Sequence, residues 1–171
     1  MSSGFCPQLR PDSCVAACCA MLLHHRRPPP DESILVTHDR LHPSFTMPPG
    51  PGLGDARELI GAAVDWLDAS EDASFTLLEA LVMQTWCAVV VFGGPWTHDL
   101  RHRKLTRPHG RLSSNPTSAH PRHAVVLTAW GPTSISVYDP WFDMLSQPVR
   151  AEAAWLRRAW TGELAYFPAN P

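Results

Sequence analysis

The stretch PDSCVAACCAMLLHHRRPPP, residues 11–30, decides the fold. Its middle, residues 14–25, is rich in alanine and leucine and contains neither glycine nor proline, which predicts a helix. Asp12 and Ser13 are candidate N-caps, and the prolines at 28–30 end the helix. Cys14 is therefore expected at a helix N-terminus, where the helix dipole and free amide groups stabilise a thiolate.

Cysteine usage suggests that at least one thiol is free for chemistry. The chain has 5 cysteines, an odd number that cannot be fully paired within one chain. We interpret Cys18, Cys19 and Cys87 as small buried hydrophobic residues.

Length and composition indicate one domain, spanning residues 1–171. The 44% hydrophobic content supports a packed core, and no apolar run reaches the roughly 20 residues of a membrane span. A net charge of -2 is unlike the basic footprint of nucleic-acid-binding proteins. The first residues lack the basic start and apolar run of a signal peptide, so we expect a soluble, cytoplasmic protein.

The remaining pattern predicts helices first and strands later, with the change near residue 86. Residues 38–54 are rich in proline and glycine and are predicted to be loop. Helices are predicted at 55–67, 74–84 and 151–160, and strands at 86–94, 123–130, 134–141 and 162–167. The short link at residues 131–133 indicates an antiparallel hairpin. We expect an α+β fold, with a helical part over about 1–85 packed on an antiparallel sheet over about 86–171.

Three further residues are candidates to act with Cys14. His123 opens a predicted strand and Asp139 closes the next one, so their side chains are expected within hydrogen-bond reach. Gln8 lies six residues before Cys14 and carries an amide that can donate to an oxyanion. Each residue also has a simpler explanation: a surface glutamine, a core thiol, a partly buried histidine, and a turn-forming aspartate before Pro140. Only their order and context together favour catalysis.

Four segments carry a family resemblance. They are PQLRPDSCVAACCAMLLHH at 7–25, RHAVVLTAW at 122–130, SVYDPW at 136–141 and AWTGELAYF at 159–167. Together they resemble the papain-like cysteine peptidase domain of bacteriocin-exporting transporters, which removes leader peptides after a Gly-Gly-type motif. The resemblance implies a papain-like fold with Cys14 as nucleophile, His123 as base, Asp139 as the third member and Gln8 in the oxyanion hole. It implies a peptide or peptidyl substrate, a transporter or biosynthetic partner, and either a free-standing enzyme or an excised domain.

Two features depart from the family pattern. Val15 stands where the family usually has glycine. The segment 95–122, which leads into His123, is longer than usual and basic. We therefore expect Arg101, Arg103 and Arg107 to bind substrate. Trp141 is expected either to bind substrate or to shield the Asp139–His123 pair from water.

The same basic segment contains several histidines: His98, His102, His109 and His120. They lack a second ligand pair at metal-binding spacing, so no metal and no cofactor is predicted.

The leading hypothesis is a cysteine peptidase that works through an acyl-enzyme. The first alternative is an acyltransferase or cyclase, in which an amine or another nucleophile replaces water at the same triad. The second is a non-catalytic module that binds a peptide. The presence of Gln8, Cys14, His123 and Asp139 together disfavours this last alternative.

Overall fold

The structure is a computed structural model that describes residues 4–10, 12–45, 52–85, 87–93, 122–142, 144 and 147–169. The helices in these parts are α1 (Cys14–Arg26), α2 (Ile34–Phe45), α3 (Ala56–Ile60), α4 (Asp72–Thr85) and α5 (Ala153–Ala159). The strands are β1 (Ala63–Trp66), β2 (Ala88–Gly93), β3 (Arg122–Trp130), β4 (Ser134–Tyr138), β5 (Val149–Glu152) and β6 (Trp160–Tyr166). This is the α+β class predicted from the sequence.

The described strands form one six-stranded sheet in the order β1-β6-β2-β3-β4-β5. Every neighbouring pair is antiparallel. Strands β2 and β3 lie at the centre. Residues 88–92 of β2 and residues 123–127 of β3, which face each other, are buried, as expected where helices cover both faces of a sheet. The predicted β3–β4 hairpin is present.

Helices cover both faces of the sheet. On one face α1 packs against Val89, Val91, Ala124 and Val126. On the other, α4 and α5 pack against Val90, Phe92, Val125 and Leu127. Helix α1 is buried on all sides from Cys14 to Leu22, which explains why it lacks a polar face.

The prediction of loop for residues 38–54 is wrong over the first part of that range. Helix α2 occupies residues 38–45 of that range. Its buried residues are Thr37, His38, Leu41, His42 and Phe45, which repeat at helical spacing. Two of them are histidines, so the apolar pattern is hard to see in the sequence. Residues 46–51 lie outside the described part of the chain.

The prediction of a single helix for residues 55–67 is also wrong, because these residues form a short helix and a strand. Helix α3 ends at Ile60, because Gly61 adopts a left-handed conformation with φ 70° and caps it. The chain then enters β1, which pairs with β6. The helical part of the chain therefore contributes a strand to the sheet.

Other boundaries differ by a few residues. The strand predicted at 134–141 ends at Tyr138, and a turn follows at Asp139. Of the helix predicted at 151–160, the first two residues belong to β5. Helix α4 and strands β2, β3 and β6 lie within two residues of their predicted bounds.

Candidate functional site

Cys14 is the first residue of α1, as predicted, and its side chain is buried. Ser13 occupies the N-cap position but makes no side-chain bond to the helix. Instead its hydroxyl accepts a hydrogen bond from the Arg10 amide and donates one to the Arg10 carbonyl, each at 3.1 Å. The Ser13 side chain therefore does not compete with the thiol for the first amide groups of α1, one of which, that of Val15, lowers the pKa of Cys14.

His123 and Asp139 form a buried pair at the end of the β3–β4 hairpin. His123 Nε2 lies 2.7 Å from Asp139 Oδ1, and neither residue is more than 1% exposed. Because the carboxylate accepts a hydrogen bond from Nε2–H, Nδ1 is the nitrogen left to act on the thiol. Nδ1 has no partner of standard hydrogen-bond geometry in the described residues, yet the imidazole lies near enough to Cys14 to act on its thiol. Catalytic hydrogen bonds often reach ideal geometry only when substrate binds.

The neighbouring turn holds Asp139 in place. Asp139 Oδ1 also accepts a hydrogen bond of 3.0 Å from the Trp141 amide. The side chain of Gln147 accepts from the Asp139 amide at 3.0 Å and donates to the Asp139 carbonyl at 2.8 Å. Sequence reasoning missed Gln147, because nothing in the sequence around residue 147 marks it as a partner of residue 139.

Trp141 is fully buried beside the imidazole of His123. The two ring centroids are 6.0 Å apart at an interplanar angle of 81°, an edge-to-face contact. This position suits the predicted shielding of the Asp139–His123 pair from water better than direct contact with a substrate.

Opposing effects act on the Cys14 thiol. Burial raises its pKa, but the hydrogen-bonding nitrogen and positive charge of His123 lower it, as do the backbone amides of Ala124 and Val15. The balance leaves the pKa of Cys14 below its ordinary value. For His123, burial lowers the pKa, but the charge and hydrogen bond of Asp139 and the nearby Cys14 raise it to about 9. These directions favour a thiolate–imidazolium pair near neutral pH.

The pKa of each of the other four cysteines is raised instead. All five cysteines are free and buried. Burial raises the pKa of Cys6 to about 12, of Cys19 to about 12 and of Cys87 to about 11. It raises the pKa of Cys18 well above the ordinary value. Cys14 therefore differs from the rest in its electrostatics as well as in its position.

Gln8 lies beside the same turn. Its side chain is buried, and its backbone amide donates a hydrogen bond of 2.7 Å to the Pro140 carbonyl. The structure thus brings Gln8, Cys14, His123 and Asp139 into one region, although more than a hundred residues separate the two halves. Val15, the departure from the family pattern, is fully buried and supplies one of the amides that act on the thiol.

Other predicted residues lie outside the described part of the chain. These are Arg101, Arg103 and Arg107, together with His98, His102, His109 and His120. Among the residues that the structure describes, no group of three or more metal-binding side chains could hold a metal ion. Within the same residues, no helix is both long and apolar enough to cross a membrane.

Two solved structures resemble this chain over nearly its whole length. One is the peptidase domain of Streptococcus ComA, described as a bi-functional ABC transporter involved in a quorum-sensing pathway. It is 16% identical with a TM-score of 0.58, and the match covers 95% of each chain. The chain has the fold of a C39 peptidase. The second structure is described as a C39-like peptidase from Bacillus anthracis. It is 16% identical with a TM-score of 0.61, and the match covers 98% of this chain and 95% of that one.

The comparison with solved structures has no counterpart in the comparisons of sequence. No protein-family model matches the sequence, and no curated protein does. At 16% identity the fold is shared, whereas catalytic roles have to be argued from this chain's own residues.

Proposed function

We propose that the protein is a cysteine peptidase that cleaves a peptide through an acyl-enzyme on Cys14. One observation carries the proposal: the cysteine with a lowered pKa lies at a helix start beside an imidazole that a buried carboxylate holds at 2.7 Å. A nucleophile, a base and a residue that orients the base are the parts this chemistry requires.

In the first half-reaction, the Cys14 thiolate attacks the carbonyl carbon of the scissile amide. Protonated His123 gives its proton to the leaving amine, the C–N bond breaks, and a thioester forms. In the second half-reaction, neutral His123 takes a proton from water, whose oxygen attacks the thioester. The carboxylic acid product leaves, and the thiolate–imidazolium pair is restored.

The tetrahedral intermediates carry a negative oxygen that needs hydrogen-bond donors. We assign this role to the Gln8 side chain and the Cys14 backbone amide. The hydrogen bond from the Gln8 backbone amide to the Pro140 carbonyl supports the assignment, because it anchors Gln8 next to the turn that carries Asp139. Loss of one such donor typically slows catalysis by about 10²- to 10³-fold.

The likeness to the ComA peptidase domain suggests a peptide substrate and a transporter as partner, and the resemblance of the four sequence segments suggests the kind of peptide. We extend the proposal to leader peptides with a Gly-Gly-type cleavage motif, to a transporter as partner, and to a cytoplasmic location. Arg101, Arg103 and Arg107 remain proposed substrate-binding residues, because their place in the chain leads directly into His123.

Thiol labelling tests the nucleophile before any substrate is known. Iodoacetamide at about pH 7 is expected to modify Cys14 and leave the other thiols intact, because only a thiolate reacts readily. Intact mass and peptide mapping would identify the site. Cys14→Ala should abolish labelling, whereas the matched Cys18→Ala, which removes a thiol of raised pKa from the same helix, should not. Preferential labelling of any other cysteine would contradict the proposal.

Peptide cleavage tests the reaction itself. A synthetic leader peptide with a Gly-Gly motif should be cut by the native protein, with the new carboxylic acid end identified by mass spectrometry. Cys14→Ala should be inactive while retaining the circular dichroism spectrum of the native protein. An amide formed with an added amine, without acid product, would instead identify an acyltransferase. Intact peptide over a set of such leaders, with Cys14 labelled normally, would contradict the peptidase assignment.

A further inference from the structure

The turn of residues 10–13 connects two functional positions, because Gln8 precedes it and Cys14 follows it. The backbone amide of Ser13 donates to the Arg10 carbonyl at 3.1 Å, and the buried Ser13 hydroxyl makes two more bonds to the same residue. The shape of this turn therefore determines how the start of α1 lies relative to Gln8.

One side chain from α2 holds both flanks of this turn. His42 Nδ1 lies 3.0 Å from an Arg10 guanidinium nitrogen, and His42 Nε2 lies 3.1 Å from Asp12 Oδ1. A guanidinium can only donate, so Nδ1 must accept, and Nε2 carries the hydrogen that is donated in the hydrogen bond to the carboxylate. A single neutral tautomer satisfies both contacts. The imidazole thus links residues on either side of position 11 to one helix.

The surroundings of His42 restrict its ring. His42 is 8% exposed, and its ring stacks on that of His38, with centroids 5.9 Å apart and planes 22° apart. His38 is fully buried, and its Nδ1 lies 3.0 Å from Asp39 Oδ1. Burial lowers the pKa of His38 despite Asp39, and the nearby His42 and Arg10 lower it too. The neutral form of His38 is therefore favoured.

We propose that His42 is a positioning residue: by bridging Arg10 and Asp12 it aligns the Cys14 thiolate with His123 and with the oxyanion donor Gln8. It touches no reacting atom and acts through the turn of residues 10–13. The proposal rests on the proposed function for its catalytic consequence, but its effect on the Cys14 thiol needs no substrate.

Three variants distinguish the effect of the two His42 hydrogen bonds from the effect of the volume that the side chain fills. His42→Leu keeps comparable volume and removes both hydrogen bonds. His42→Gln offers one acceptor and one donor, so it can replace the bridge. Arg10→Met removes one partner at an exposed position and leaves the α2 core intact.

The matched control is His24→Leu. His24 Nε2 lies 2.7 Å from Thr37 Oγ1, so this variant also removes a histidine hydrogen bond between α1 and α2. It does so near the far end of α1 from Cys14.

Two measurements apply to each full-length variant: the pH profile of the alkylation rate of Cys14 by iodoacetamide, and kcat and KM for a Gly-Gly leader peptide. We expect His42→Leu to move the alkylation midpoint to higher pH and to lower kcat by about 10- to 100-fold with little change in KM. Arg10→Met should show the same changes to a smaller extent. His42→Gln should restore most of the native values, and His24→Leu should match the native protein.

The proposal would be overturned if both His42→Leu and Arg10→Met had the alkylation profile and the kcat of the native protein. Equal losses in His24→Leu would overturn it too, because they would indicate general loosening of α2. If His42→Leu does not fold, Arg10→Met decides between these outcomes. If native protein is alkylated at Cys14 but cuts no peptide, the peptidase assignment fails, and the alkylation profiles alone decide the role of His42.

Discussion

At the scale of single residues, the charge on His123 determines what the site can do. Its pKa is raised to about 9 mainly because Asp139 opposes the effect of burial. The proposed reaction needs His123 protonated and Cys14 ionised. The rate should therefore rise with pH as the thiolate forms and fall again as pH passes about 9 and the imidazolium loses its proton.

Asp139→Asn tests this dependence. An amide removes the charge that raises the His123 pKa, so the alkaline limb of kcat/KM should move to lower pH. It can also favour the wrong imidazole tautomer, so kcat should fall by about 10²-fold or more while KM changes little. Initial rates on a leader peptide across the pH range would measure both effects. An alkaline limb that stays in place, with an unchanged rate at neutral pH, would reduce Asp139 to a turn former.

At the scale of elements, strand β6 depends on a close approach of two backbones. Gly162 has φ 93°, and a Cβ built there would lie 1.9 Å from the Leu67 carbonyl oxygen. The Leu67 amide in turn donates to the Gly162 carbonyl at 2.9 Å. The glycine of the Trp-Thr-Gly segment is therefore required by packing at the edge where β1 joins the sheet.

Gly162→Ala should be strongly destabilising. The positive φ costs about 1–3 kcal/mol and the clash a similar amount, so the free energy of unfolding should fall by roughly 3–5 kcal/mol. This corresponds to a loss of about 6–20 °C in Tm. Gly61→Ala is the matched control, because it shares a positive φ of 70° but its Cβ would meet only an Arg27 side-chain atom at 3.9 Å. Denaturant unfolding that gives equal losses for both would remove the close approach as the cause.

At the scale of the whole molecule, the site forms where distant parts of the chain meet. The N-terminal segment brings Gln8, α1 brings Cys14, and the β3–β4 hairpin brings His123 and Asp139. A side-chain contact also connects the first residue of β3 to β6, because the Arg122 guanidinium next to His123 forms an ion pair with Glu163. Cys14 and His123 thus lie on the buried helix α1 and the central strand β3, whereas Gln8 precedes α1 and Asp139 follows β4.

The basic segment that precedes β3 provides a prediction about substrate binding. Replacing Arg101, Arg103 and Arg107 by alanine should raise KM for an acidic peptide with kcat nearly kept, because the charges attract substrate without touching the reaction. The native KM should rise with salt, as screening over about 8 Å weakens exposed charges at physiological ionic strength, and the variant should lose this dependence. Identical kinetics and salt response in both proteins would show that these arginines have no role. Activity lost to chelators and restored by zinc would instead implicate the nearby histidines.

Much of the site was predictable because its signals are local. A helix start after Asp12-Ser13 identifies Cys14 whatever surrounds it. An uninterrupted β-branched run identifies β2, and a three-residue link between two apolar runs identifies the β3–β4 hairpin. His123 and Asp139 follow from their places at the ends of those strands. These features depend on residues close in the chain, and for that reason the sequence is sufficient to predict them.

Tertiary structure decided the features that depend on distant neighbours. Residues 63–66 become strand instead of helix because β6, about a hundred residues later, offers a pairing edge. Helix α2 buries two histidines, and the partners of one of them, His42, are Arg10 and Asp12, which lie before α1. The opposite pKa shifts of Cys14 and Cys18, four residues apart on one helix, depend on which of them lies against His123. The sequence alone was sufficient to predict the candidate residues, whereas packing decided which thiol has a lowered pKa, because burial and neighbouring charge are properties of the folded chain.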